Sequence, residues 1–143
     1  MKLTTYAQAY RQNSVQTASP GNLILMLFDG ALRFLNRALD GFEEPAVIPR
    51  TEIVHVNLMK TQAIINELQG SLNLDAGGDV ARNLSGLYDY MRTQLRQANV
   101  RKESDPVRIV RELISELRDA WSAMLQNLEH QDSTPMAWVA TAA

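Results

Sequence analysis

The feature that most constrains this chain is an unbroken apolar run near its start, Leu23 to Phe28, which is preceded by Ser19 and Pro20. Serine is a favoured helix N-cap, and proline is tolerated at the first helical position because its missing N–H would have no partner there. The run therefore predicts a helix whose first two turns are apolar on every side. Because such a helix cannot face water, the remaining chain has to enclose it.

Three further segments have the pattern of amphipathic helices, with apolar residues recurring every three or four positions. The predicted helices cover residues 20–42, 51–74, 80–100 and 106–131. Thr51, Asp79 and Asp105 are the predicted caps of the last three. Residues 41–49, with two prolines, are predicted to form a loop, and residues 75–78, with two glycines, a helix stop.

No segment alternates with the period of a strand, so the predicted fold is all-α, an antiparallel four-helix bundle with short connections. The bundle domain is predicted to span residues 19–131, after an N-terminal arm (1–18) and before a flexible tail (132–143). The tail carries Met136, Trp138 and Val139 without a clear period, and a docked Trp138 is an alternative to a free one. Five large side chains are assigned to the core: Leu27, Phe34, Tyr88, Leu117 and Trp121.

Charge and composition argue against several classes of protein. Fourteen basic residues against sixteen acidic ones leave no surplus for a phosphate backbone, so a nucleic-acid partner is not expected. The absence of cysteine excludes disulfides and thiol chemistry. The longest apolar run is too short to span a bilayer, and the first residues lack the apolar core of a signal peptide. We therefore expect a cytoplasmic protein that does not insert into membranes.

The sequence does not point to an enzyme. Glu52 and His55 have the Glu-x-x-His spacing of di-iron bundles, but that site needs a second such motif and two more glutamates, and the other histidine, His130, lacks the spacing. His55 also lies in the first turn of its predicted helix, which does not suit a phosphotransfer histidine. There is no nucleophile elbow and no glycine-rich phosphate loop. We expect no cofactor and no metal, and a metal-binding bundle enzyme is the weaker alternative.

The helices carry more apolar surface than one partner each requires. The second helix has apolar doublets at 53/54, 58/59 and 64/65, and the third has Leu87 and Tyr90 beside its core stripe. This surplus either closes the core, pairs with a second copy in a homodimer, or binds another protein. Periodicity alone does not separate these three.

Several short motifs follow one another along residues 6–128. They are Tyr10 with Val15 and Thr17-Ala18-Ser19-Pro20; Met26-Leu27-Phe28-Asp29-Gly30-Ala31; Ile64-Ile65 with Leu68; Asn83-Leu84 with Leu87-Tyr88-Asp89-Tyr90-Met91; Ala98-Asn99; and Leu117-Arg118-Asp119-Ala120-Trp121. In this order and spacing they resemble one family, the flagellar secretion chaperones (FliS) that escort flagellin.

The resemblance implies a chaperone that binds the C-terminal segment of flagellin in apolar grooves, prevents premature polymerisation and docks at the flagellar export gate. It also implies that Tyr6 and Tyr10, on the N-terminal arm, cover part of the groove in the free protein and move on binding. For the groove itself, the apolar surplus and the resemblance together predict Leu58, Ile65, Leu68, Leu72, Leu87, Tyr90 and Leu95.

Overall fold

The structure is a computed structural model that describes residues 19–129. These residues form four helices: α1 (Pro20–Phe42), α2 (Val47–Gly70), α3 (Leu74–Arg101) and α4 (Asp105–Glu129). The predicted all-α bundle is confirmed. The predicted arm, the predicted tail and the last two predicted residues of the fourth helix lie outside the described residues.

The helices are arranged in a ring, so that α1 and α3 each contact both α2 and α4. Side-chain hydrogen bonds give the directions, because residue numbers rise along one helix while they fall along its neighbour. Between α1 and α4 the bonded pairs are Gly21–Trp121, Asp29–Arg118 and Asn36–Arg111. Between α2 and α3 they are His55–Asn99, Asn66–Arg92 and Gln69–Ser85. Both pairs of helices are therefore antiparallel.

The apolar start of α1 is enclosed, as its sequence requires. The backbone N–H of Asn22 donates to the Ser19 hydroxyl oxygen at 3.2 Å, which confirms the predicted cap. The first turns bury most of their apolar side chains, namely Leu23, Ile24, Leu27 and Phe28. The Trp121 indole N–H donates to the Gly21 carbonyl oxygen at 2.8 Å and so fastens α4 across the first turn of α1.

The first loop is shorter than predicted. Residues 41 and 42 still belong to α1, and α2 begins at Val47, so the loop assigned to residues 41–49 was wrong at both ends. Pro49 is the third residue of α2, where its missing N–H removes no helical bond. At the end of α1, a Cβ on Gly41 would lie only 2.5 Å from Ile53 Cγ2, which shows how closely α1 and α2 pack here. The α2 helix ends at Gly70 rather than near Leu74.

The predicted start of α3 was also wrong. Asn73 caps the helix by accepting from the Ala76 N–H at 3.0 Å, so residues 74–77 are helical rather than a stop. The predicted stop does contain a break in the helix, because Gly78 leaves helical geometry at φ 56°, ψ −137° and interrupts α3. At the start of α4, the Ser104 carbonyl accepts from the Val107 N–H at 3.0 Å. Asp105 is therefore the first helical residue rather than the cap.

The predicted core is confirmed for four of its members: Leu27, Phe34, Tyr88 and Trp121 are each at most 3% exposed. Leu117 is partly buried and packs against this core. Two polar side chains are buried with it. Asn57 donates to the Ile53 carbonyl and the Thr61 hydroxyl to the Asn57 carbonyl, each at 2.8 Å, so both bond back to their own helix.

Two alanine substitutions in α3 are expected to act in opposite directions. Gly78→Ala forces a side chain into a positive-φ conformation and should lower the free energy of unfolding by about 1–2 kcal/mol. Gly86→Ala adds a methyl group with no atom within 4 Å and should raise it by about 0.5–1 kcal/mol, because alanine is the better helix former. Urea unfolding of both variants measures the difference, and equal shifts would contradict the backbone geometry assigned to Gly78.

Candidate protein-binding surface

The seam between α1 and α4 is held by an ion pair as well as by the Trp121 hydrogen bond. Arg118 Nε donates to Asp29 Oδ1 at 2.8 Å, and both side chains are more than a third exposed. The hydrogen bond and the charge of Asp29 raise the pKa of the Arg118 guanidinium further above its usual range. The pair joins two of the sequence motifs noted above, residues 26–31 and 117–121. These two motifs, although far apart in the chain, therefore both contribute to the contact between α1 and α4.

The seam between α2 and α3 carries a second polar network. The Gln69 side-chain amide donates to the Ser85 hydroxyl and to the Asp89 carboxylate, each at 3.0 Å. Asp89 also pairs with Arg92, and Arg92 donates to the Asn66 side chain at 3.2 Å. The Gln69 and Asn66 bonds cross from α2 to α3, while the Asp89–Arg92 pair lies within α3 and links them, so the network sets the register of α3 against α2.

The seam between α3 and α4 is different, because apolar side chains line it. On α3, Leu87 is two residues from both Ser85 and Asp89, which places it about 200° around the helix from the α2 side. Since α3 contacts α2 and α4, Leu87 lies toward α4, with Tyr90 at the outer edge of the same side. On α4, Arg111 and Arg118 bond to α1, and the face that carries Leu113, Leu117 and Met124 is turned away from them. We call the following set the α3–α4 seam: Leu84, Leu87 and Tyr90 of α3 with Leu113, Leu117, Ala120 and Met124 of α4.

Most of the α3–α4 seam is half-buried, while Tyr90 and Ala120 are exposed. An apolar cavity of about 130 Å³ opens into it at the end of the bundle where α1 begins. Its lining comes from all four helices: Ile24, Phe28, Leu68, Ser71, Leu72, Leu84, Tyr88, Leu117, Ala120, Trp121 and Met124. Burial in these surroundings raises the pKa of the Tyr88 phenol well above its usual value. The seam and its cavity therefore form a largely apolar surface that offers few hydrogen-bonding groups.

The structure divides the predicted groove residues into two groups. Four of them are at most 1% exposed and belong to the core: Leu58, Ile65, Leu68 and Leu95. Leu58, Ile65 and Leu95 can be reached by a partner only if the helices separate, whereas Leu68, although buried, forms part of the cavity lining. Leu72 is half-buried in the cavity wall, Leu87 is half-buried, and Tyr90 is 44% exposed. Tyr6 and Tyr10 lie outside the described residues.

Sequence reasoning missed the α4 half of the seam. From the sequence, Leu113, Ala120 and Met124 were assigned to one broad core stripe, because the apolar pattern of a single helix does not show which neighbouring helix each of its sides contacts. The available signal was the short connection between α3 and α4, which makes the two helices antiparallel neighbours and sets Leu87 beside the 117–120 region.

His55, one of the two residues of the Glu-x-x-His spacing, has a hydrogen-bond partner on α3. The Asn99 side-chain amide lies 2.9 Å from His55 Nδ1, and Lys102 donates to the Asn99 carbonyl oxygen. Over residues 19–129, no group of three or more histidine, aspartate, glutamate or cysteine side chains is placed to hold a metal ion. Among the four helices described, none is long and apolar enough to cross a membrane.

A helical bundle with a half-buried apolar seam and an apolar cavity at one end fits a protein-binding module better than an enzyme with a polar active site. Residues 2–128 match the family described as "Flagellar protein FliS". The flagellar secretion chaperone FliS of Salmonella typhimurium is 39% identical over 132 residues, which cover 92% of this chain and 95% of that protein. That of Bacillus subtilis is 37% identical over 119 residues, 83% of this chain and 85% of that protein. The flagellar secretion chaperone FliSB of Pseudomonas aeruginosa is 31% identical over 119 residues, covering 83% and 91%. The chain belongs to the FliS family, as its motifs predicted, and this is a family of chaperones rather than of enzymes.

The environment of Tyr88 predicts a specific loss of stability in alkali. The unfolded chain gives up the phenol proton near the ordinary pKa of about 10, whereas the folded chain holds it to higher pH. The contribution of Tyr88 is therefore complete below pH 10 and is lost as the pH rises above 10. We expect Tyr88→Phe to flatten the fall in unfolding free energy between pH 9 and pH 11, measured by urea titration.

Tyr90→Phe is the matched control, because it removes a phenol that is 44% exposed and lies two residues away on the same helix. This control should follow the wild-type pH profile. If both variants flatten the profile equally, the buried phenol of Tyr88 is not the source of the alkaline instability.

Proposed function

We propose that this protein is a cytoplasmic export chaperone that binds the C-terminal segment of flagellin along the α3–α4 seam. In this role it keeps flagellin from polymerising before export and delivers it to the flagellar export gate. Membership of the FliS family and the names of its relatives as flagellar secretion chaperones support the chaperone role. The client, its binding surface and its delivery are the proposal.

The observation that carries this proposal is the half-open apolar seam with its cavity. The α1–α4 and α2–α3 seams are bridged by hydrogen bonds, and α1–α4 also by an ion pair. The α1–α2 seam is closely packed at Gly41 and Ile53. In contrast, the α3–α4 seam leaves Leu84, Leu87, Leu117 and Met124 only half-buried. Its apolar side chains are spaced along two antiparallel helices, as a groove for a third helix requires.

An amphipathic segment fits such a seam because it presents apolar anchors every three or four residues. Flagellin's C-terminal segment, the client that the resemblance implies, is disordered before assembly and packs against copies of itself afterwards. Binding on the seam would cover the same apolar anchors that drive polymerisation. Coupled folding of this kind buries on the order of 1,000–3,000 Å² and loses part of the gain to the ordering of the client.

The groove residues predicted from the sequence enter this proposal selectively. Leu72, Leu87 and Tyr90 contact the client at the cavity and along the outer edge of the seam. Leu58, Ile65, Leu68 and Leu95 support the surface from within the core, where they are buried. Residues 113–124 of α4 supply the opposite wall.

A homodimer is the second candidate, since the same apolar seam is suited to pairing with a second copy. A dimer that uses the seam would compete with the client for it. Sedimentation at several protein concentrations without client separates the two: mass that rises with concentration favours the dimer, and a constant monomer mass favours a seam that is free for a client.

Client binding should depend on the seam and not on exposed apolar residues elsewhere. Calorimetric titration with a peptide covering the C-terminal end of flagellin is expected to show binding with a negative heat-capacity change, and circular dichroism a gain in helix. Tyr90→Ala should weaken binding about five- to thirtyfold, the range typical of an aromatic anchor that contributes 1–2 kcal/mol.

Val100→Ala is the matched control, because Val100 is 78% exposed and lies three turns along α3 from Tyr90, outside the seam. It should leave the affinity unchanged. Absence of binding by the wild-type protein at tens of micromolar peptide would overturn the proposed function. Equal weakening by both variants would instead move the site away from the seam.

The N-terminal arm is expected to compete with the client, as the resemblance implies. Replacing both Tyr6 and Tyr10 with alanine removes the two large side chains proposed to cover the groove, so the double variant should bind the flagellin peptide more tightly. The double Tyr→Phe variant keeps the rings and should bind as the wild type does. Unchanged affinity in the alanine variant, measured by the same titration, contradicts a covering role for the arm.

A further inference from the structure

The cavity of the α3–α4 seam lies where the described chain both starts and stops. Gly21, in the first turn of α1, is bonded to Trp121, and Trp121 lines the cavity. Met124 is the last α4 residue in the lining, and the described chain ends five residues later at Glu129. At 1.5 Å per helical residue, this end is about 7.5 Å along the axis from the cavity rim. Any segment that follows α4 therefore starts beside the cavity.

The sequence of residues 130–143 is compatible with a chain that reverses direction toward the cavity. Thr134 precedes Pro135, which removes a helical N–H and biases the residue before it toward extended geometry. Beyond this break lie Met136, Trp138 and Val139, among small and polar residues. Nine residues separate Glu129 from Trp138 and span up to about 30 Å when extended. Eight helical residues separate Glu129 from Trp121, which is only about 12 Å, so the indole reaches the cavity easily.

The cavity has the right character for an aromatic side chain, and its size admits about one six-membered ring, so an indole enters it in part and covers its mouth with the rest. Its volume of about 130 Å³ approaches the roughly 150 Å³ of an apolar cavity that accepts benzene. The lining is apolar apart from Ser71 and the phenol of Tyr88. Burying an indole there removes a large apolar surface from water.

We propose that residues 130–143 are an intramolecular occupant of this cavity, with Trp138 seated over it and Met136 and Val139 against its rim. Because the segment is tethered, its effective concentration at the cavity is in the millimolar range, so a contact that is weak between separate molecules suffices. In the free protein the segment then shields the cavity from water.

Competition with the client follows, and this part rests on the proposed function. A client that needs the cavity binds only to the fraction of molecules in which it is uncovered, and its apparent Kd rises in inverse proportion to that fraction. A cavity covered nine-tenths of the time lowers the apparent affinity tenfold. The C-terminal segment therefore raises the apparent Kd for every client, so that only a client with a high intrinsic affinity for the cavity binds appreciably.

Intrinsic fluorescence tests the docking without any client, because the chain has only two tryptophans. The Trp121→Phe variant leaves Trp138 as the sole indole. Its emission should be blue-shifted and several-fold less quenched by acrylamide than that of the free peptide 130–143. Since Trp121 itself lines the cavity, the difference spectrum between wild type and Trp138→Phe gives the same information with Trp121 in place. Peptide-like emission and quenching of Trp138 in both measurements overturn the proposal.

Two further variants identify the occupant. The triple variant Met136→Ser, Trp138→Ser, Val139→Ser should increase binding of an apolar fluorescent dye, while the control Gln131→Ser should not. If instead only the Tyr6→Ala, Tyr10→Ala variant increases dye binding, the N-terminal arm occupies the cavity and the proposal fails. Protection of Trp138 that rises with protein concentration would indicate a second copy and would overturn it as well.

Titration of the flagellin peptide then tests the competition. The triple serine variant should bind about three- to tenfold more tightly than the wild type, with Gln131→Ser unchanged. A protected Trp138 with equal client affinity in all variants overturns the competition while the docking stands. If no variant binds the peptide, the proposed function fails, and fluorescence still decides whether the segment docks.

Discussion

The burial of the first two turns of α1 is the constraint on which the rest of the bundle depends. Leu23, Ile24, Leu27 and Phe28 point to more than one side, so no single partner helix can cover them. The α2 and α4 helices lie on either side of α1, and α3 contacts both of them rather than α1. The Trp121 bond to Gly21 closes α4 over the place where α1 starts. With α1 enclosed in this way, α3 packs across from it and shares its seams with α2 and α4.

The inter-helix contacts described here divide the molecule into parts of different character. Polar bonds with fixed partners, such as Gln69 with Ser85 and Asp29 with Arg118, penalise a change of register because each broken bond leaves a group to be resolvated. Apolar contacts along the α3–α4 seam carry no such penalty, since one aliphatic side chain can replace another as a neighbour. The polar bonds therefore specify the register of their helix pairs more strictly than the apolar contacts of the α3–α4 seam do.

The helices could be predicted from the sequence because their signals are local. The span of α1 and its Ser19 cap follow from one run and two preceding residues, and both are confirmed. The start of α2 could not be predicted in the same way, because Pro49 is equally compatible with a loop and with a first helical turn. The groove was harder still. Leu68 and Leu72 are four residues apart and both line the cavity, yet Leu68 is buried and Leu72 is half-buried, because α2 ends between them at Gly70. Leu87 is half-buried and Leu95 is buried, and only the position of the neighbouring helices decides which is which.

The hydrogen bond between Trp121 and Gly21 also shows that both ends of the described chain lie at the same end of the bundle. Ser19 and Glu129 emerge at the cavity end, while the connections at residues 43–46 and 102–104 lie at the other end, about 30 Å away for helices of this length. An affinity tag or fusion partner joined directly before Ser19 or directly after Glu129 would therefore start beside the apolar cavity. A spectroscopic label or a surface anchor placed on the exposed Glu43 or Glu103 leaves that end free. Immobilisation through these loops would present the cavity outward, in a single orientation, to whatever is passed over it.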